Sequence, residues 1–219
     1  MKEHNTNENT YVKKVSYQPE SPLNPLRTFA LQTHVPIIGD EVLRFLELMV
    51  SIKAPARILE VGTAIGYSAA AMLLCSEAEL VSIEREESMH KIACDNLRAL
   101  GLEDRARLLF GDASELLSEL ADDAANRFDF AFIDASKAHY LEHFLLAEPM
   151  LNEGALVLFD NVLYLGLLAG RRTASKNNTI RNRMQDLIDY CFRLEGYRVS
   201  MLQAEDGLLI LHKQKRVSK

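Results

Sequence analysis

A regular alternation that begins at residue 57 narrows the possible folds more than anything else in the chain. Short apolar runs at 57–61, 79–83, 105–110, 128–133 and 155–159 read as buried strands. Helical patterns at 66–75, 86–99, 113–120, about 137–150 and 178–194 fall between and after them. Two further strands, 197–202 and 207–212, flank the turn Glu205-Asp206-Gly207 and read as a hairpin. Parallel strands need a crossover, and a helix is the usual one. The pattern therefore predicts an α/β, Rossmann-like, doubly wound and mostly parallel seven-stranded sheet with an antiparallel C-terminal hairpin strand. Ligands in such sheets gather at the carboxyl ends of the strands, near the point where strand order reverses. Polar residues that follow each strand are thus the first candidates for a site.

The first strand breaks at a glycine turn, Glu60-Val-Gly62-Thr-Ala64-Ile-Gly66-Tyr67-Ser68, before the apolar helix resumes. Glycine there permits close backbone approach to a ligand, and a helix start offers unpaired N–H groups. The dinucleotide fingerprint G-x-G-x-x-G is incomplete, because Ala64 stands between Gly62 and Gly66. Glu60, an acid at the end of a buried strand, is costly without a cationic or hydrogen-bonding partner.

Acids follow four successive strands. Glu84 ends the second, about 20 residues past the turn, where an acid takes ribose hydroxyls. Gly111-Asp112 follows the third and could border an adenine, although Asp112 equally suits a helix cap. Asp134 follows the fourth, and Asp160-Asn161 the fifth. If those two strands are neighbours, their tips converge, and two carboxylates with an amide oxygen make a hard donor set for Mg²⁺, Mn²⁺ or Ca²⁺. Lys137 lies one helical turn past Asp134; an ammonium beside a divalent cation is disfavoured, so it could serve as a base. His139 and His143 are spaced four apart but lack the acid of H-E-x-x-H, so surface or core histidines are the simpler reading.

Upstream, 25–33 and 40–52 carry helical patterns, joined by the apolar hinge His34-Val35-Pro-Ile-Ile-Gly39, a wall for a cofactor pocket or ordinary packing. Residues 1–20 have few apolar positions and read as a flexible arm before a single domain over 21–219. No apolar run approaches the roughly 20 residues that cross a bilayer. The polar start lacks the apolar core of a signal peptide, so no membrane partner and a cytoplasmic location are expected. Cys75, Cys94 and Cys191 include no C-x-x-C pair and read as buried free thiols. The net charge of -6 argues against general nucleic-acid binding. Yet eleven bases against five acids leave +6 over 165–219, hence -12 over 1–164, a candidate footprint for a polyanion or simply a solvated surface.

Taken together, Glu60-Val-Gly-Thr-Ala-Ile-Gly-Tyr-Ser68, Ile133-Asp-Ala-Ser-Lys137 and Asp160-Asn161 resemble the S-adenosylmethionine-dependent, cation-dependent O-methyltransferases of the catechol and caffeoyl-CoA type. With His34-Val-Pro-Ile37 and Asp160-Asn-Val-Leu163, they look closer still to bacterial members that methylate 5-hydroxyuridine at the tRNA wobble position, the TrmR type. The resemblance runs from about residue 25 to about 213. It implies a class I methyltransferase domain binding S-adenosylmethionine through Val35, Glu60, Gly62, Tyr67, Ser68, Glu84, Asp112, Ala113 and Asp134. It also implies a cation on Asp134, Asp160 and Asn161, catalytic roles for Lys137 and Asp134, and a homodimer. The departure at Ala64 casts little doubt, because the family varies there.

The chemistry that this resemblance implies is in-line transfer of a methyl group from sulfonium to oxygen, on an acceptor with two adjacent oxygens. A catechol has them, and so does 5-hydroxyuridine. Arg171, Arg172 and Lys176, in a Gly-, Arg-, Lys- and Asn-rich stretch, could meet phosphates, and with the resemblance they favour tRNA as the expected substrate. A small catechol-like or caffeoyl-CoA-like acceptor is the alternative. A silent RNA-binding fold is disfavoured by the joint presence of Asp134, Lys137, Asp160 and Asn161. A nicotinamide dehydrogenase is disfavoured by the missing glycine.

Overall fold

The computed structural model describes residues 11–12, 14–163 and 175–215, with side chains from 178 onward in the last stretch. The described elements are α1 (Asn24–Thr33), α2 (Asp40–Lys53), β1 (Arg57–Val61), α3 (Tyr67–Leu74), β2 (Glu79–Glu84), α4 (Glu87–Ala99) and β3 (Ala106–Phe110). They continue with α5 (Ala113–Ala121), β4 (Phe128–Ile133), α6 (Tyr140–Ala147), β5 (Leu151–Phe159), α7 (Ser175–Arg193), β6 (Tyr197–Leu202) and β7 (Leu208–Lys213). Residues 11, 12 and 14–16 have helical backbone, where a loose arm was expected.

The strands form one seven-stranded sheet in the order β3-β2-β1-β4-β5-β7-β6. Pairing is parallel from β3 to β5 and antiparallel on both sides of β7. The chain lays down β1, β2 and β3 outward, then returns to place β4 on the free side of β1. Strand order therefore reverses between β1 and β4, which is where a site belongs in such a sheet. The hairpin closes inward: β7, the antiparallel strand, lies between β5 and β6, and β6 forms the outer edge.

Strand periodicity divides the core into two layers. Ile58, Leu80, Phe130, Phe132 and Leu158 face α1, α2 and α3, while Leu59, Val61, Val81, Ile83, Ala131, Ile133, Val157 and Phe159 face α5, α6 and α7. Phe128 joins the second layer out of step with Phe130, because the register shifts at Asp129. Helix α3 is buried from Tyr67 through Leu73, as a helix apolar on all sides must be. Arg105 anchors the stretch that follows it, its guanidinium donating to the carbonyls of Leu73, Ser76 and Ala78.

Two boundaries differ from expectation. The helix foreseen over 137–150 is an α-helix only at α6, with tight 3-10 turns on either side, the second containing Pro149. Strand β5 starts at Leu151 rather than 155; Gly154 turns to φ +78° and the pairing with β4 jumps from Leu151 to Leu156, an irregularity that hides the apolar alternation. The three cysteines are free, and of them only Cys191 is fully buried.

Candidate active site

The glycine turn is shaped first by the protein itself. Gly62 has φ +102°, and a Cβ there would come within 2.2 Å of the Asp134 carbonyl oxygen, so only glycine lets the β4 tip cross beside β1. The Gly62 and Thr63 N–H groups both donate to the Ile83 carbonyl, at 3.0 and 3.3 Å. Ala64, in place of the fingerprint glycine, itself adopts φ +46° and donates its N–H to Glu84 Oε2 at 2.8 Å. Glu84 Oε1 accepts from the Glu86 N–H at 2.8 Å. The carboxylate at the end of β2 is thus fixed by two backbone donors and keeps spare lone pairs for a ligand.

Glu60 departs from its expected role. It is fully buried and absent from the cavity wall, because β1 turns it toward α3. Ser68 Oγ donates to Glu60 Oε1 and Ser82 Oγ to Oε2, both at 2.5 Å, and Thr63 Oγ1 lies 2.5 Å from Ser82 Oγ. Burial pushes the Glu60 carboxyl up to about 7, although the two serines act in the opposite direction. Glu60 therefore stands behind the wall and orients Ser68 and Thr63, which do line the cavity. Val35 is also displaced: it packs against the core, and the wall is formed by Pro36, Ile37 and Ile38.

The β4 and β5 tips meet as expected. Ile133 pairs with Phe159, and the Asp160 N–H donates to the Ile133 carbonyl. The Tyr140 hydroxyl lies 3.2 Å from both Asp134 Oδ1 and the Asp160 carbonyl oxygen, bridging the two tips. Asp160 Oδ1 accepts from the Asn161 N–H at 2.7 Å, with Asn161 held at φ +53°. Lys137 Nζ donates to Asn161 Oδ1 at 3.1 Å and sits 3.9 Å from Asp134 Oδ1. Burial raises the pKa of both Asp134 and Asp160; Asp160 is raised further by the Asp134 charge, while Lys137 lowers both.

A buried Asp160 and a part-buried Asp134 share, among the described residues, the Lys137 ammonium, a set that a hard cation would relieve, and the amide oxygen of Asn161 suits the same ion. By donor chemistry and mutual repulsion, Asp134, Asp160 and Asn161 fit a divalent metal. Among the described residues no three His, Cys, Asp or Glu side chains are grouped to hold one, so the amide and exogenous oxygens would complete the shell.

One cavity of about 770 Å³ joins these parts. Gly62, Tyr67, Ser68, Glu84, Asp112, Ala113, Asp134, Lys137, Asp160 and Asn161 all line it. Asp112 is also the cap of α5, its Oδ1 accepting from the Ser114 N–H at 2.9 Å and the Glu115 N–H at 3.4 Å. Arg171 and Arg172 lie outside the described residues, as does the side chain of Lys176.

Sequence reasoning missed Ser82, Tyr140 and the wall made by His139, Glu142 and His143. Ser82 was findable, as the polar residue interrupting Leu80-Val81-Ser82-Ile83 and paired in register with Glu60. Tyr140 gave no signal beyond falling one turn after Lys137.

Comparison with known proteins decides the family. The family model for O-methyltransferases matches residues 13–214. The chain belongs to the O-methyltransferase family. A Staphylococcus aureus protein of this kind, provisionally named a caffeoyl-CoA O-methyltransferase, has a crystal structure that superposes with a TM-score of 0.85 at 30% identity, over 94% of this chain and 99% of that one. The sheet described above is thus the class I methyltransferase fold. A caffeoyl-CoA O-methyltransferase of Populus kitakamiensis is 30% identical over 129 residues, covering 58% of this chain and 55% of that one. A catechol O-methyltransferase of Niastella koreensis is 33% identical over 122 residues, covering 55% of each chain. The matches span about half the length of these two curated relatives.

Proposed function

We propose that this chain is an S-adenosylmethionine- and divalent-cation-dependent O-methyltransferase whose acceptor is a small molecule with two adjacent oxygens, of the catechol or caffeoyl-CoA kind. The observation that carries the reading is the opening of Asp134, Asp160, Asn161 and Lys137 onto the same cavity as Glu84 and the Gly62 turn. Family membership supplies the reaction class.

Ser68, Thr63 and the Gly62 turn would hold the amino-acid portion of S-adenosylmethionine, Glu84 its ribose, and Asp112 with Ala113 its base, and the bound donor supplies an electrophilic methyl group. Asp134, Asp160 and Asn161 would hold the cation, which supplies charge stabilisation and alignment for an acceptor oxygen when bound. The rest is the work of the chain. Lys137 Nζ, hydrogen-bonded to Asn161, is placed to receive the acceptor hydroxyl's proton once it is itself neutral. Tyr140 keeps Asp134 in step with the β5 tip. Pro36, Ile37 and Ile38 give one side of the cavity an apolar wall that limits water. Alignment of donor and acceptor alone can lower a barrier by several kcal/mol, on the order of 7 or more in the best cases.

The 5-hydroxyuridine of a tRNA is the second reading. It rests on the motif resemblance and on Arg171, Arg172 and Lys176, whose side chains lie outside the described residues. The relatives reported above are named for catechol and caffeoyl-CoA, and they favour the small acceptor. Incubation with labelled S-adenosylmethionine and Mg²⁺, with and without chelator, separates the two. Label on catechol or caffeoyl-CoA only with free Mg²⁺ supports the first reading. Label on tRNA lacking the wobble modification supports the second, and label on neither acceptor sinks both.

A further inference from the structure

The β3 end of the cavity contains a buried imidazole that the proposed chemistry does not use. His143, on α6, is 5% exposed, yet it lines the cavity. Its Nδ1 is buried and has no hydrogen-bond partner among the described residues. A buried polar atom left unpaired is costly, and such atoms in native proteins call for an explanation. Nearby groups are already engaged. His139 Nδ1 and Glu142 Oε2 are 2.9 Å apart, and the Glu142 carboxylate is also bonded to Ser114. Asp112 is occupied in capping α5. The His139 and His143 rings stack, with centroids 6.0 Å apart.

The location suggests what the imidazole is for. Helix α6 packs on α5, so His143 lies near the start of α5, where Asp112, Ala113 and Ser114 line the same cavity. Glu84 ends β2, and Asp112 follows β3 at the neighbouring position in the sheet. A nucleoside with its ribose on Glu84 and its base extending away from the metal ligands would bring that base to the start of α5. We propose that His143 reads the donor's base, its imidazole accepting a hydrogen bond from the exocyclic amine of a 6-aminopurine. The proposal rests on the donor reading given above. Burial, followed by the neighbouring His139, holds the imidazole below its ordinary pKa, with Glu142 and Asp112 acting the other way. A neutral imidazole keeps one acceptor nitrogen. Leucine would fill the same volume without an unpaired nitrogen, so packing alone does not explain histidine here.

The test is calorimetric binding of S-adenosylhomocysteine and of its analogue lacking the 6-amino group, to the unaltered protein and to His143→Leu. The expected result is a roughly tenfold weaker affinity for the analogue, the size of one ordinary hydrogen bond. His143→Leu should show the same tenfold loss for S-adenosylhomocysteine and no further loss for the analogue. Its KM for S-adenosylmethionine should rise by a similar factor at unchanged kcat, and its ligand-free melting temperature should not fall. Equal affinity of the unaltered protein for both ligands overturns the proposal, and that arm stands even where the leucine variant does not fold. So does undiminished S-adenosylhomocysteine binding by His143→Leu. Binding of neither ligand by the unaltered protein overturns the donor reading itself, an outcome distinct from a lost preference.

Discussion

At the scale of single residues, the site pairs a buried carboxylate, Asp160, with one that keeps a quarter of its side chain exposed, Asp134. Asp134 and Asp160 repel one another across the strand tips, so removing one relieves the other. Asp160→Ala is expected to lower turnover by about a hundredfold to a thousandfold, as loss of an electrostatic stabiliser does. Its melting temperature should change little, because relief of the repulsion with Asp134 offsets the lost bond from the Asn161 N–H, while the Tyr140 bond uses the main-chain oxygen of residue 160. Activity and thermal melts on the same preparation check both halves. Glu60 carries a pH signature. Its folded pKa of about 7 lies above the ordinary carboxylate value, so between about pH 4.5 and 7 the native state holds a proton the unfolded chain has lost. The Glu60 contribution to stability therefore declines as pH rises through that window. Relative to Glu60→Gln, wild type should lose on the order of 3 kcal/mol between pH 4.5 and 8, measured by urea unfolding. Parallel curves for the two proteins would remove Glu60 as the source.

Elements place these residues, and α3 shows how. It starts from a strained turn and ends beneath Arg105, whose guanidinium gathers the carbonyls of Leu73, Ser76 and Ala78. Arg105→Ala leaves those acceptors short of a charged donor and should cost about 2–3 kcal/mol of stability. The Gly62 turn keeps its own bonds to Ile83, so specific activity should survive below the melting range; equilibrium unfolding with an activity assay tests both. Strand-helix alternation was readable because apolar period and glycine punctuation agree from residue 57 onward. The first residues of β5 were not, since Asn152, Glu153 and Gly154 fall in the irregular stretch between the Leu151 and Leu156 pairings with β4 and carry no apolar alternation. The facing of Glu60 could have been worked out from strand parity, whereas the wall formed by His139, Glu142 and His143 depends on how α6 leans over α5. Periodicity along one helix does not carry that information.

For the molecule as a whole, ligand binding and stability are linked. S-adenosylhomocysteine at 100 times its Kd should raise unfolding free energy by about 2.7 kcal/mol, provided it binds only the folded chain. A melting temperature indifferent to the ligand would count against the whole donor assignment. The tips that build the cavity are drawn from residues 62 to 161, so the cavity as a whole depends on the sheet being complete on both sides of β1.

The position of β7 has a consequence for synthesis. The edge of β5 is covered not by the next strand made but by the one after it, Leu156 pairing with His212 and Phe159 with Leu209. The Val162 and Leu163 N–H groups, just beyond Asp160 and Asn161, are tied to the Gly207 and Asp206 carbonyls of the hairpin turn. A chain leaving the ribosome therefore waits about fifty residues, a matter of seconds, with that edge open to any passing extended peptide. Truncation before residue 208 should yield a product that aggregates rather than a smaller enzyme, and competence for catalysis arrives only when the last strand is threaded into place.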